Sequence, residues 1–279
     1  MKTPMSEEEH EMTIAEAEPV QATRPDTKLT VTQLGKTYVT GKESHEIFRN
    51  VELTVEPGEI VSIVGPSGVG KTTLLRCLAG LLEATTGEIW IGDRRLAGPV
   101  PEMGLVFQDY SRSLLPWMRS RANVALPLES KGIARAERNR LAEESLAAVG
   151  LEGAGHKYPW QMSGGMQQRV AIARAIAYQA DILLMDEPFA SVDAQTRFDL
   201  EDLALDVRRR LGVSIVLVTH DIDEAVYLAD RVIVLSGKPA SVVDVVEVDL
   251  GRERDQLSTK ALPAFAEART RVLRQIRRP

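Results

Sequence analysis

A single cysteine, Cys77, only four histidines and 5% aromatic residues mark what this chain of 279 residues has little of. One cysteine excludes an internal disulfide, so Cys77 reads as a small core residue and a reducing, cytoplasmic compartment fits. Long apolar runs are missing as well. The longest, residues 182–185 and 213–218, fall far short of the roughly 18 residues that a membrane helix needs. Met1 and Lys2 lead into acidic residues rather than an apolar signal segment. No internal repeat is present, and no broad excess of one charge. The net charge is -6, yet its sources sit at the ends. Seven acids against two bases over residues 1–26 predict a disordered acidic tail, 1–27. From Arg252 onward eight bases meet three acids, which predicts a basic, helical C-terminal extension over 249–279. Such a helix can meet a membrane surface or nucleic acid, or simply pack on its own domain with its charges in solvent. The part between is nearly neutral, so nothing global calls for nucleic acid.

What the chain does have is a composition, 44% hydrophobic, that can bury a full core. Four short apolar runs bounded by turn or polar residues read as buried strands: residues 59–65, 103–108, 181–187 and 213–220. Helical patterns separate them, which predicts parallel βαβ connections. In open parallel sheets ligands bind beyond the carboxyl ends of the strands. Each run ends in a residue suited to phosphate or metal: a glycine loop, Gln108, the pair Asp186 and Glu187, and His220. Residues 28–57 and the stretch around residue 88 alternate at period two and predict a small antiparallel sheet. A helical insertion is expected over 109–177, with Leu141, Leu146 and Val149 facing a core and Gly150 ending a helix.

The first run continues through Gly65, Pro66, Ser67, Gly68, Val69, Gly70, Lys71, Thr72 and Thr73, a full match to G-x-x-x-x-G-K-[ST]. In that pattern the glycines let backbone N–H groups wrap phosphates, the lysine reaches the β and γ phosphates, and the Thr72 hydroxyl ligates Mg²⁺. The following helix, with Leu74, Leu75, Leu78 and Leu81 as its apolar face, points its positive end at the nucleotide. Asp186 is the expected Mg²⁺ partner, and Glu187 can orient and deprotonate an attacking water. Gln108 offers a neutral oxygen for Mg²⁺ or the water, and His220 a donor for the γ-phosphate.

The stretch MSGGMQQR, residues 162–169, starts an amphipathic helix that Ser163 can cap. Two consecutive glycines in a first turn cost roughly 0.5 to 1 kcal/mol each relative to alanine. Packing alone would not choose Gly164 and Gly165, which implies a partner that approaches the backbone.

With these residues placed, the chain resembles the nucleotide-binding subunit of an ATP-binding cassette (ABC) transporter across residues 29–248. The motifs fall in that family's order: the aromatic Tyr38, the P-loop 65–73, Gln108, the signature 162–167, the strand 182–187, the D-loop 190–193 and His220. The family signature most often reads Leu-Ser-Gly-Gly-Gln, and here Met162 and Met166 replace its leucine and glutamine. The resemblance implies a P-loop NTPase (RecA-like) α/β core with a mainly parallel sheet, an N-terminal antiparallel β-subdomain and an inserted α-helical subdomain, the whole ATPase domain spanning 28–248. It implies ATP and Mg²⁺, with Tyr38 stacked on adenine. It also implies a head-to-tail homodimer in which Ser163, Gly164 and Gly165 of one copy cover the ATP held by the other. ATP would close that dimer and hydrolysis reopen it.

Residues 106–117, 158–169 and 219–236 resemble the ATPases of nitrate, sulfonate and taurine importers, which implies membrane permease subunits and, indirectly, a substrate-binding protein. The expected place is then the cytoplasmic face of the membrane. Leu114, Leu115, Pro116 and Trp117 form an apolar cluster resembling the region where such subunits receive a permease helix. A soluble ABC ATPase acting on nucleic acid or ribosomes is the alternative, though those usually carry two cassettes or a coiled-coil insertion. A P-loop kinase or GTPase leaves residues 163–167 and His220 unexplained.

Overall fold

A computed structural model describes residues 27–107 and 113–277. Residues 1–26 of the acidic tail, and Gln108, therefore lie outside the described residues. Ten strands form one sheet: β1 (Leu29–Thr40), β2 (Glu43–Val55), β3 (Ile60–Val64), β4 (Thr86–Ile91), β5 (Arg94–Arg95), β6 (Met103–Val106), β7 (Ile182–Asp186), β8 (Ser214–Val218), β9 (Arg231–Gly237) and β10 (Ala240–Glu247). Their order is β5-β4-β1-β2-β10-β9-β3-β8-β7-β6. The stretch from β9 through β3, β8 and β7 to β6 is parallel, and β1 runs antiparallel to β2 and β4.

The antiparallel part is not a separate small sheet. It joins the parallel core through a parallel contact of β10 with β2 at Ala240 and Phe48. Neither β9 nor β10 is among the strands expected from the sequence, although the apolar run of β9 is as dense as that of β8.

Period two explains how the parallel strands hold the molecule together. Side chains alternate across a sheet, so a run that is apolar at every position buries both faces. Ile60, Leu183, Met185, Ile215 and Leu217 enter one core with the helices of the insertion, whereas Val61, Ile63, Ile182, Leu184, Val216 and Val218 enter a second with the antiparallel strands.

Helix α1 (Lys71–Leu78) packs into that second core through Leu74, Leu75, Cys77 and Leu78. Leu81, expected on the same face, lies beyond the helix and is exposed. Burial raises the Cys77 thiol to about 11, so it stays protonated and unreactive.

The insertion carries α2 (Ser120–Ala125), α3 (Arg135–Ala148) and α4 (Gly164–Ala177). Leu146 and Val149 are fully buried, and Leu141 packs against the same core. Gly150 ends α3 at φ 71°, with the Leu151 N–H donating to the Leu146 carbonyl at 2.8 Å. After β7 come α5 (Ala194–Leu211), then β8, α6 (Ile222–Leu228), β9, β10 and α7 (Pro263–Ile276).

Among the described residues of the basic extension, 263–276 alone are α-helical. Phe265 and Val272 are buried, Arg269 meets Asp223 at 2.5 Å and Arg271 meets Asp244 at 2.6 Å. The extension is thus packed on its own domain.

Candidate nucleotide site

Strand order builds the site. Because β3, β8 and β7 are neighbours in register, with Ile63 beside Val218 and Val218 beside Asp186, their carboxyl ends stop at one level. The loops leaving these three strands then converge on a cleft of about 620 Å³ lined by Ile47, Ser67, Gly68, Gly70, Lys71, Thr72, Thr73, Glu187 and His220.

The loop after β3 needs its glycines for two separate reasons. Gly68 and Gly70 have φ of 75° and 106°, which side chains other than glycine rarely adopt. A Cβ on Gly65 would sit 2.4 Å from the Leu235 carbonyl oxygen. Val69 is buried and its N–H donates to the Pro66 carbonyl at 3.2 Å, closing the loop onto α1. Gly70 precedes α1 without a capping side chain, so the first N–H groups of the helix face the cleft with no side-chain competitor.

Lys71 Nζ donates to the Gly65 and Pro66 carbonyls at 2.8 and 3.3 Å. Burial holds its ammonium below the usual value, while the Glu187 and Asp186 carboxylates pull the other way. Thr72 Oγ1 donates to Asp186 Oδ1 at 3.2 Å. Burial pushes Asp186 above the usual carboxylate range and the Glu187 charge adds to this, against the Thr72 hydrogen bond, Arg76 and Lys71. Two hard oxygens and surplus negative charge in a half-dry site suit a dication that keeps most of its shell from phosphate and water, as Mg²⁺ does. Among the described residues no three acidic, histidine or cysteine side chains gather as a protein-only metal cage.

Glu187 follows β7 at φ 43°, a strained position for a residue with a side chain. Its N–H donates to the Val218 carbonyl at 2.8 Å, and its Oε2 stands 3.1 Å from His220 Nδ1.

Other expected residues are not in this cleft. Tyr38, 41% exposed with Lys36 Nζ 5.1 Å above its ring, does not line the cleft, and Ile47 is the apolar residue that does. No sequence signal marks Ile47. Ser163, Gly164 and Gly165 lie elsewhere, at the start of α4, where Ser163 Oγ accepts from the Met166 N–H at 3.3 Å. Packing does require Gly165, against expectation: a Cβ there would fall 2.4 Å from Thr196 Cγ2. Met162 is buried and Met166 packs against the helical core, so both signature departures serve packing.

The family description "ABC transporter" matches residues 48–190. An uncharacterized ABC transporter ATP-binding protein of Methanocaldococcus jannaschii is 43% identical, over 90% of this chain and 91% of that protein. The chain belongs to the ABC transporter family. A taurine import ATP-binding protein of Escherichia coli O157:H7 is 40% identical over 82% of this chain and 91% of its own length. A nitrate import ATP-binding protein of Synechococcus elongatus is 37% identical over 86% and 88%. Among solved structures, a dimeric post-hydrolysis state of an ATP-binding cassette with ADP and Pi superposes with a TM-score of 0.69 at 34% identity, covering 79% of this chain and 98% of that one. This ABC protein is accordingly an ATPase with a P-loop NTPase α/β fold, one that couples ATP hydrolysis to transport rather than acting on nucleic acid. Among the described residues no helix is long and apolar enough to cross a membrane.

Proposed function

We propose that this ABC ATPase powers an importer for nitrate, sulfonate, taurine or a related small solute, bound at the cytoplasmic face of the membrane to permease subunits that receive solute from a substrate-binding protein. The observation that carries the reading is the convergence of Lys71, Thr72, Asp186, Glu187 and His220 at the ends of three adjacent strands. The similarity to nitrate and taurine import proteins supports the solute class.

In this reading the N–H groups of 65–73 and Lys71 hold the β and γ phosphates, and Tyr38 stacks on adenine. Thr72 and Asp186, joined by Gln108, hold Mg²⁺. An Mg²⁺ ion held by these residues would supply positive charge to offset that of the phosphates. Glu187 removes the proton of the attacking water, and His220 donates to the γ-phosphate while its Nδ1 faces Glu187. Ser163, Gly164 and Gly165 close over the nucleotide held by a second copy, adding N–H donors and the positive end of α4. Exposed Ser163 and Gly164 fit that task, since in one chain they face solvent.

The acidic tail 1–27, the ATPase domain 28–248 with its helical part 109–177, and the extension 249–279 remain the proposed division. The test is copurification from membranes. A complex with a permease whose ATPase rate rises when nitrate, sulfonate or taurine is supplied with the binding protein supports the reading; a chain recovered with ribosomes or nucleic acid sinks it.

A further inference from the structure

Gly165 makes a contact whose other half is Thr196, in the first turn of α5. Asp193 caps that helix, accepting from the Thr196 N–H at 3.0 Å and from the Thr196 hydroxyl at 2.7 Å. A threonine side chain has few staggered choices. With the hydroxyl committed to Asp193, the methyl Cγ2 is directed at Gly165, filling the volume a Cβ would take. Two more links hold the same face of α4 to the same segment. Fully buried Gln168 donates through Nε2 to the Pro188 carbonyl, and Arg169 lies 3.9 Å from Asp199. The first two turns of α4 therefore rest on Pro188, just after Glu187, and on the first two turns of α5.

We infer that Thr196 is a positioning residue for the signature helix: its methyl, oriented by the hydroxyl bond to Asp193, seats in the notch of Gly165 and sets where the N-terminal N–H groups of α4 stand. The inference rests on the reading that those groups meet a nucleotide held by a second copy. It gives Gly165 two duties, openness toward the partner and clearance for Thr196. It also ties loop 190–193 to the signature within one chain, so that a shift of Asp193 moves the α4 terminus.

The experiment compares Gly165→Ala, Thr196→Ser and their combination, each in full-length chain carrying Glu187→Gln so that ATP is bound without turnover. Gly165→Ala should speed amide exchange at Met166 and Gln167, whose N–H groups bond to Ser163 at 3.3 and 2.9 Å, and raise the ATP concentration for half-maximal dimer about tenfold. Thr196→Ser keeps the hydroxyl and deletes the methyl, so the double variant should recover both readouts to within about threefold. No recovery of exchange in the double variant overturns the inference, whatever the dimer does. Recovery of exchange with no ATP-driven dimer in any variant, Glu187→Gln alone included, supports the local positioning and instead defeats the shared-site reading.

Discussion

His220 Nδ1 stands 3.1 Å from Glu187 Oε2, across the gap between the ends of two adjacent strands. The backbone of Glu187 is strained to φ 43° to hold the carboxylate there. A base needs to be aimed more than it needs to be strong. Glu187→Gln preserves shape and the capacity to bond His220 but cannot accept the proton. ATPase turnover should fall by about 10² or more while ATP affinity survives, and an ATP-bound dimer should accumulate on size exclusion. Near wild-type turnover would remove Glu187 from the role of base.

Gly164 offers a cleaner probe of the shared site than Gly165, because the Thr196 methyl is directed at Gly165. An aspartate in the first turn of α4 favours the helix dipole, so Gly164→Asp should leave the melting temperature of the isolated chain unchanged or slightly raised. The same charge should oppose the γ-phosphate of a partner and prevent ATP-driven dimerisation. Monomer binding of ATP, followed by a fluorescent analogue, should persist; if it disappears, the signature is not working in trans.

Trp117 is 70% exposed while Leu114, three residues earlier, is 2% exposed. One short segment thus offers an apolar anchor and an apolar surface. Leu114→Ala should cost about 2 to 5 kcal/mol of stability. Trp117→Ala should leave the melting temperature alone yet weaken permease copurification, since an exposed aromatic of this kind fits an interface hot spot. Retained copurification with the Trp117→Ala chain would take the permease contact elsewhere.

Glu224 is buried beneath α5, facing Glu201, Asp221 and Arg197, with the Thr219 hydroxyl beside it and Oε1 unpartnered. Burial, reinforced by the Glu201 charge, raises its carboxyl from 4.5 to about 8. Burial raises Glu201 too, although Lys260 at 3.3 Å and Gln256 at 3.0 Å hold its charged form. Between 4.5 and about 8 the folded chain keeps a proton on Glu224 that the unfolded chain releases, so the contribution of Glu224 to stability is greatest below that window and declines as pH rises through it. Glu224→Gln removes the penalty. Its melting temperature relative to wild type should climb from about pH 5 to about pH 8, and a constant difference across thermal scans in that range would contradict the assignment.

Runs with four apolar residues out of five, such as 60–64 and 182–186, made the parallel strands legible, because burial on both faces leaves few polar positions to disguise them. The P-loop was legible because phosphate binding needs glycine φ values and a lysine at one fixed spacing. Strand β10 was not, since Val243 and Val245 are exposed and blur the alternation of apolar and polar positions, and its pairing with β2 rests on one residue pair. Ile47 was invisible because any apolar residue can wall a cleft.

The sequence alone determined that this chain binds phosphate beyond a parallel sheet, because the P-loop glycines, Lys71, Asp186, Glu187 and His220 each follow an apolar run whose own burial dictates where it must end. Only the tertiary structure decided which residues meet. Strand order brings Glu187 to His220 and Thr72 to Asp186, and helix packing sets Thr196 against Gly165 while keeping the signature out of its own chain's cleft. Those contacts join segments with no local tie, and their geometry comes from how two cores pack on opposite faces of one sheet.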